Sequence, residues 1–337
     1  VTGVAVIIAA RNAEATIAAS VVSALAQPEA AEVVVVDDAS TDATGQAARQ
    51  AAAGDARLTV LRSDANIGPA AARNLAIARS TAPLIAVLDA DDLMLPGRLA
   101  HLVAQPGWDL IADNIAFLDA DAPVPGALAC DPPGPAGSEP LELADFVRGN
   151  LTRRGTARGE LGFLKPVMRR DAIAGRGLSY DTALWLGEDY DLYVRAMLAG
   201  ARFRLTRRVG YVARVRAGSL SGRHRTADLA ALAGASARHL GLATGGQSAA
   251  DATAAIAEHR RQVHARYLLR AFLDAKAEGG LGSALALALR PPANLLPIAA
   301  GVLADKLAAI PGRAGAASPI GRYLLPIDAP GSPASRG

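Results

Sequence analysis

The stretch Asp89-Ala90-Asp91-Asp92 ends an apolar run, Leu84 to Asp89, and packs three carboxylates into four positions. In an extended chain, side chains two apart share a face, so Asp89 and Asp91 are expected to converge. Two ionised carboxylates that close repel each other unless a cation lies between or beside them. Mg²⁺ or Mn²⁺ takes oxygen ligands and keeps positions open for phosphate, so the group reads as a metal-diphosphate site. The same residues would equally make a solvated turn, or the cap of a helix starting at Pro96.

A second acidic strand end is Asp37-Asp38, followed by Ala39-Ser40-Thr41-Asp42. A carboxylate there can accept hydrogen bonds from a nucleobase imide or a ribose, while Ser40 and Thr41 suit the cap of the next helix. Asn66-Ile67-Gly68-Pro69 supplies a turn and a helix start, and Arg73 follows one turn in, placed either to clamp phosphate oxygens or to lie on the surface. Further on, Gly187-Glu188-Asp189-Tyr190-Asp191-Leu192 opens a helical pattern with three acidic side chains, which favour a helix start.

These groups need a scaffold that brings strand ends together. Four apolar runs read as buried strands: Val4 to Ala10, Glu32 to Asp38, Leu58 to Ser63 and Leu84 to Asp89. Helical patterns follow each of the first three: one behind Asn12 as N-cap, with Glu14 in its first turn, one over Thr41 to Ala53 capped by Ser40 or Thr41, and one over Ala70 to Ala78 behind Pro69. Alternating strands and helices imply a parallel sheet with right-handed crossovers, whose ligands bind at the carboxyl ends of the strands. Asn12, Asp37, Asp38, Asp64, Asn66, Asp89, Asp91 and Asp92 all fall at such ends.

Beyond Pro96 the pattern is mixed, with a strand over Leu110 to Leu118, a helix over Glu188 to Ala199, and a Pro/Gly/Ala-rich loop over Asp119 to Pro140. Alanine-rich helix runs from Thr226 to Glu278, and apolar stretches beyond Gly279 are broken by Arg290, Pro291, Pro292 and Pro297. None reaches the ~18 to 20 residues of a membrane span, which leaves peripheral attachment open. The tail from Pro311 reads as poorly ordered. No acidic residue lies between Asp191 and Asp228, where Arg202, Arg204, Arg207, Arg208, Arg214, Arg216, Arg223 and Arg225 fall; such a segment suits a phosphate-rich ligand, an anionic membrane or a solvated face.

Half the chain is apolar, aromatics are few, and Val, Ile, Leu and Ala supply the core, as in α/β proteins with helices on both sheet faces. The one cysteine, Cys130, cannot pair within the chain, and the first apolar run stops at Arg11-Asn12, so a cytoplasmic setting without an export signal is expected.

Taken in order, Ala9-Ala10-Arg11-Asn12, Val35-Val36-Asp37-Asp38-Ala39-Ser40-Thr41-Asp42, Asn66 to Asn74, Leu88-Asp89-Ala90-Asp91-Asp92 and Gly187 to Leu192 resemble the family 2 glycosyltransferases with a GT-A fold, over about Val4 to Ser221. The resemblance implies an α/β, nucleotide-diphospho-sugar transferase fold, its mostly parallel sheet flanked by helices, with a helical C-terminal extension. It further implies that the backbone near Ala9 and the carboxylate of Asp38 hold the base of a nucleotide sugar, usually uridine, and that Arg73 approaches the diphosphate. Asp89 would face the donor's ribose or sugar and share a Mg²⁺ or Mn²⁺ ion with Asp91, its main ligand. Asp189 would be the general base. Inverting transfer agrees, since one displacement needs a base for the acceptor hydroxyl and charge neutralisation at the leaving diphosphate; Glu188 and Asp191 would orient the base.

Two departures stand out. The family's histidine before Gly-Ser-x-Ser is replaced by Arg216, ahead of Gly218-Ser219-Leu220-Ser221, and the usual proline after the first strand is replaced by Ala9-Ala10. Arginine cannot ligate a metal, so Arg216 is expected to pair with phosphate. Trp108 to Asn114, Phe163-Leu164-Lys165-Pro166 and Leu198 to Phe203 look most like the succinoglycan-type exopolysaccharide branch. That branch implies a lipid-linked oligosaccharide acceptor at the inner face of the cytoplasmic membrane, an anionic surface the enzyme would meet peripherally; nucleic acid is not an expected partner.

The expected organisation is a catalytic domain over 1–222 (nucleotide-sugar half 1–105, acceptor half 106–222), a helical region over 223–290, and a Pro/Gly-rich tail over 291–337. A dehydrogenase is disfavoured because no Gly-x-Gly-x-x-Gly follows the first strand. A glycoside hydrolase does not need phosphate-suited groups at parallel strand ends. The alternative of another class is a non-catalytic GT-A-fold scaffold or sugar-nucleotide-binding protein.

Overall fold

Valine- and isoleucine-rich segments buried on both faces pair in parallel, and the first half of the chain does so. The computed structural model describes residues 3–126, 128, 137–152, 160–215, 225–246, 249–308 and 322–326. In it β1 (Val4–Ala10), β2 (Ala30–Asp38), β3 (Leu58–Ser63) and β4 (Leu84–Val87) run parallel in the order β3-β2-β1-β4. Strand β1 is sealed almost throughout, with Val4 to Ile8 at 0% exposure. Helices α1 (Ile17–Leu25) and α2 (Thr44–Ala51) pack on each other, and α3 (Gly68–Arg79) lies on β1 and β2. The chain leaves β1 for β2 on one side and reaches β4 on the other. That reversal makes a topological switch point at the carboxyl ends of β1 and β4, the usual ligand position in such sheets.

The same sheet continues as mixed pairing. After β5 (Leu93–Met94) and α4 (Arg98–Val103) come β6 (Leu110–Asp119) and β7 (Ser138–Pro140). Beyond α5 (Leu143–Arg148) lie β8 (Val167–Arg169), α6 (Arg170–Ala174), α7 (Glu188–Leu198) and β9 (Phe203–Val215). Strand β8 inserts antiparallel between β4 and β6, β6 runs parallel to β9, and β5 and β7 pair antiparallel with β9. The tail expected to be poorly ordered contains β10 (Arg322–Tyr323), paired with β6; the Asn114 side chain exchanges hydrogen bonds with the Leu325 backbone at 2.8 and 3.0 Å. That amide completes a strand-like pairing for residues 322–326.

One compact unit comprises Val1–Glu142, Leu161–Ala217 and Pro319–Gly337, the other Leu143–Glu160 and Gly218–Ser318. The second unit is helical: α5 and α8 (Thr226–Gly245) pack on α9 (Ala250–Leu289), which breaks at Gly280 with φ +72°, and α10 (Leu295–Ala308) folds back on α9. Gly301 permits that close approach, since a Cβ there would lie 2.8 Å from Leu269 Cδ2.

Four local expectations are corrected. Asn12 does not cap α1, which starts at Ile17; with φ +49° it instead accepts the Thr41 amide at 2.9 Å and donates its own amide to Ser40 Oγ at 3.0 Å. Nor do Ser40 or Thr41 cap α2, which begins at Thr44, and Glu14 accepts the Ala43 amide instead of sitting in the first turn of α1. These polar groups stitch the loop after β1 to the loop after β2, using hydrogen bonds that local pattern assigns to capping. Asp89 to Asp92 is no extended segment either: β4 ends at Val87 and the Asp92 amide bonds the Asp89 carbonyl at 3.1 Å, a tight turn in which alternation of faces no longer applies.

Candidate active site

Side chains from four elements meet at the switch point beside β4. Arg73 comes from α3, Asp89 from the turn after β4, Lys165 from the segment before β8, and Glu188 and Asp189 from the start of α7. Gly187, with φ +74°, turns the chain into α7, and its first-turn amides favour the acidic side chains there. Arg73 Nη1 donates to Glu188 Oε1 at 2.6 Å and Nη2 to Asp89 Oδ1 at 2.9 Å, with Nη1 3.4 Å from Asp189 Oδ1. Lys165 Nζ lies 2.9 Å from Asp89 Oδ2 and 2.7 Å from Asp189 Oδ2. Arg73, Lys165 and Asp189 are buried, whereas a third of the Asp89 side chain reaches solvent.

Charge is nearly balanced inside this cluster. Desolvation would lower both cations, but Asp189, Glu188 and Asp89 hold the Arg73 guanidinium well above its ordinary value, and Asp189 and Asp89 do the same for Lys165. Desolvation would raise the Asp89 carboxyl, yet Lys165 and Arg73 hold it well below the usual carboxylate range. Tyr180, stacked under Arg73 at 5.5 Å, is pushed up by burial and by Asp189. Asp189 Oδ1 is sealed from solvent and makes no hydrogen bond, and the Tyr180 hydroxyl is likewise sealed.

Asp92 supports the turn. Its carboxylate accepts the Tyr211 hydroxyl at 2.8 Å and the Arg214 amide at 2.8 Å, while Tyr211 accepts the Asp89 amide at 3.1 Å. Burial first, then the charges of Asp89 and Asp91, push Asp92 well above the usual carboxylate range. Asp91 lies half-buried on the same turn.

Of the residues singled out beforehand, Arg73, Asp89 and Asp189 come together directly, and Arg73 is no surface arginine. Ala9 sits half-buried near the end of β1, opposite Val36 on β2. Asp38, at the end of β2, accepts Ser63 Oγ, the Ile67 amide and the Gly68 amide at 2.9, 2.8 and 2.9 Å, so it holds the start of the helix that carries Arg73. Asp38→Ala leaves the Ile67 amide without its acceptor and the Gly68 amide with only its 3.3 Å bond to Asn66 Oδ1, and is expected to lower unfolding free energy by about 1 to 3 kcal/mol. Urea unfolding of the variant checks this, and unchanged stability would remove the supporting role.

Glu188 turns to Arg73, whereas Asp191 turns away to Arg195 at 2.6 Å. Arg216 and Gly218-Ser219-Leu220-Ser221 lie outside the described residues, as do Cys130 and Arg223. Much of the basic segment is engaged: Arg202 pairs with Asp109, Arg204 bonds Ser138, Arg207 pairs with Glu139, and Arg214 bonds the carbonyls of Asp119 and Ala122. Lys165 carried no role in the sequence, because nothing local marks a lysine destined to meet carboxylates at Asp89 and Asp189. Trp185 was also missed; its half-exposed ring rests on Gly68, where a Cβ would lie 3.1 Å from the indole.

Comparison with known proteins identifies the family and the fold. Residues 5–106 match the model of the family described as Glycosyl transferase family 2. Succinoglycan biosynthesis protein ExoU of Rhizobium meliloti (strain 1021) is 52% identical over 90% of this chain and 88% of its own. Succinoglycan biosynthesis protein ExoO of the same organism is 35% identical over 64% of this chain and 61% of its own. Among solved structures, S. aureus TarS 1-349 in complex with UDP-GlcNAc superposes with a TM-score of 0.56 at 20% identity, covering 82% of this chain and 74% of that one, a likeness of fold.

Proposed function

The chain belongs to glycosyltransferase family 2 and is a glycosyltransferase with a GT-A fold, and from that premise we propose that it transfers a sugar, with inversion, from a UDP-sugar to a hydroxyl of a lipid-linked oligosaccharide in exopolysaccharide assembly. The observation that carries this reading is the cluster itself, in which one α7 carboxylate, Asp189, lies beside donor-side groups at the switch point of the sheet. The names of ExoU and ExoO support the pathway, and TarS, solved with UDP and with UDP-GlcNAc, supports the donor class.

In the transfer step the acceptor oxygen bonds the anomeric carbon as the bond to the diphosphate oxygen breaks. The acceptor proton passes to Asp189 and the electron pair leaves with UDP. Ala9 and Asp38 bound the nucleobase pocket, and Arg73 offers positive charge to the diphosphate.

Among the described residues no three His, Cys, Asp or Glu side chains converge as a metal group. Mg²⁺ or Mn²⁺ nevertheless fits with few protein ligands, because such ions bind through one or two carboxylates together with substrate phosphates. Asp91, half-buried on the turn, would hold the ion; Asp89 is already engaged through both oxygens and would join only by exchanging a cation. The ion would neutralise charge on the leaving diphosphate. The test is product formation from a panel of UDP-sugars with membrane lipid extract, with and without Mn²⁺, reading the anomeric configuration by NMR. A product of retained configuration, or no turnover of any UDP-sugar, overturns the reading; equal UDP affinity in calorimetry with and without Mn²⁺ removes the metal alone.

The membrane contact is assigned to the helical unit and not to the engaged basic segment. Leu281, Leu285 and Leu289 recur every four residues and are exposed, as are Leu295, Leu296 and Leu303, and the one charge between Gly279 and Leu303 is Arg290. No single described helix is long and apolar enough to cross a membrane; α9 and the following helix form a bent pair at 107°. Anionic vesicles should pellet the full chain, and Leu285→Asp with Leu296→Asp should reduce pelleting severalfold. Equal pelleting of the two proteins would move the contact elsewhere.

A further inference from the structure

We propose that Lys165 is a positioning residue for transfer, holding Asp189 in fixed register with the donor-side carboxylate Asp89. The proposal rests on the reading of Asp189 as base. One ammonium touches both carboxylates, at 2.7 and 2.9 Å, so the two oxygens can be no farther apart than the sum of those distances. Asp189 accepts its hydrogen bond from Lys165 through Oδ2; Arg73 approaches Oδ1 only to 3.4 Å. Lys165 therefore holds the Asp189 carboxylate through Oδ2 and sets the direction of Oδ1, which is sealed in the cluster beside Arg73.

A lysine stem is ordinarily too flexible for such a task. Here its backbone is fixed. Arg98, fully buried, grips Asp113 with Nε and Nη2 and donates Nη2 to the Lys165 carbonyl at 2.5 Å. The Arg98 guanidinium stacks on the Tyr211 ring at 5.1 Å, and the Tyr211 hydroxyl accepts the Asp89 amide at 3.1 Å. Contacts thus run from Asp189 through Lys165, Arg98 and Tyr211 to Asp89, and Lys165 closes the ring directly to Asp89. Gly210 leaves the space this support needs, since a Cβ there would fall 1.8 Å from Asp113 Oδ2. The base and the donor-side group are held by one frame, whose rigidity matters because small misplacements of reacting groups are expensive in rate.

The experiment compares wild type, Lys165→Met, Lys165→Arg, Lys165→Ala and Asp189→Asn in the full chain, using the UDP-hexose that wild type turns over fastest. It measures transfer to octyl β-D-glucoside, donor hydrolysis to water, and donor affinity by calorimetry. A register defect penalises a bulky acceptor more than water, which finds many productive orientations. Lys165→Met should lose about 10²-fold in transfer, with hydrolysis falling far less and donor affinity changing only a few-fold. Lys165→Arg should recover part of the transfer, and methylammonium should restore part of it to Lys165→Ala. Equal loss of transfer and hydrolysis, with no rescue by the amine or by arginine, would mean that Lys165 serves only stability. Normal transfer by Asp189→Asn overturns the base assignment beneath the proposal. Loss of transfer in Asp189→Asn with a wild-type transfer-to-hydrolysis ratio in Lys165→Met overturns the proposal alone.

Discussion

Asp189→Asn is expected to lower sugar transfer by about 10² to 10⁴ while donor affinity stays near that of wild type, the range general-base catalysis supplies. The amide keeps the size of the side chain and can still accept from Lys165 through its oxygen, so the cluster should remain assembled. What it cannot do is take a proton from an alcohol, which is a poor nucleophile until that proton is leaving. In the proposed reading donor binding draws on other groups: Asp38 holds the start of α3, Arg73 projects from that helix, and Asp91 lies on the turn after β4. Single-turnover transfer and calorimetric donor affinity in the same variant separate the two. Near-normal transfer would move the base to Glu188, since Asp191 is committed to Arg195. Joint loss of affinity and transfer would make Asp189 a structural member of the cluster.

Arg73→Met carries the second large effect, and it falls on stability as well as on donor binding. The guanidinium is buried against Glu188, Asp89 and Asp189, and removing it takes the cation from Glu188 and leaves Asp89 and Asp189 with Lys165 alone. Breaking a buried ion pair from one side costs about 3 to 5 kcal/mol; the lower end is expected, because Asp89 is a third exposed and water can screen it. The sign of the pH dependence follows from Asp89. Its folded carboxyl is held below the ordinary value of about 3.9, so its contribution is complete above that pH and is lost as pH falls towards the lowered folded value. The variant has less of this contribution to lose. Urea unfolding should therefore show the widest gap between the two proteins near pH 7 and a narrowing gap below about pH 4. A gap that stays constant into acid would mean that Arg73 contributes through packing on Tyr180 and not through charge.

How far sequence reading reached depends on the range of the interactions concerned. Strands β1 and β3 have the limits their apolar runs imply, and β2 and β4 differ by two residues at one end. A parallel strand buried on both faces, such as β1, must be apolar along its whole length, so its composition alone marks it, whereas β3 at the sheet edge is only half-buried. The strand-end positions of Asp38 and Asp89 were legible for the same reason: a polar residue that interrupts such a run can lie only at its end, where sheets of this kind bind ligands. Resemblance to a known family then joined those ends into one site.

Side-chain partners were another matter. Asn12, Ser40 and Thr41 have the chemistry of helix caps, yet each is used across two loops nearly thirty residues apart in sequence. Asp89 and Asp91 looked like neighbours on one strand face, but the chain turns between them. Arg73 meets Glu188 across 115 positions, Lys165 meets Asp89 and Asp189 from a third segment, and Arg98 finds Asp113 in the interior. No period or propensity encodes such pairs. A buried charge needs a partner of opposite sign, but which one it meets depends on where β8 enters the sheet and how α7 is aimed, and those are settled by packing of the whole chain.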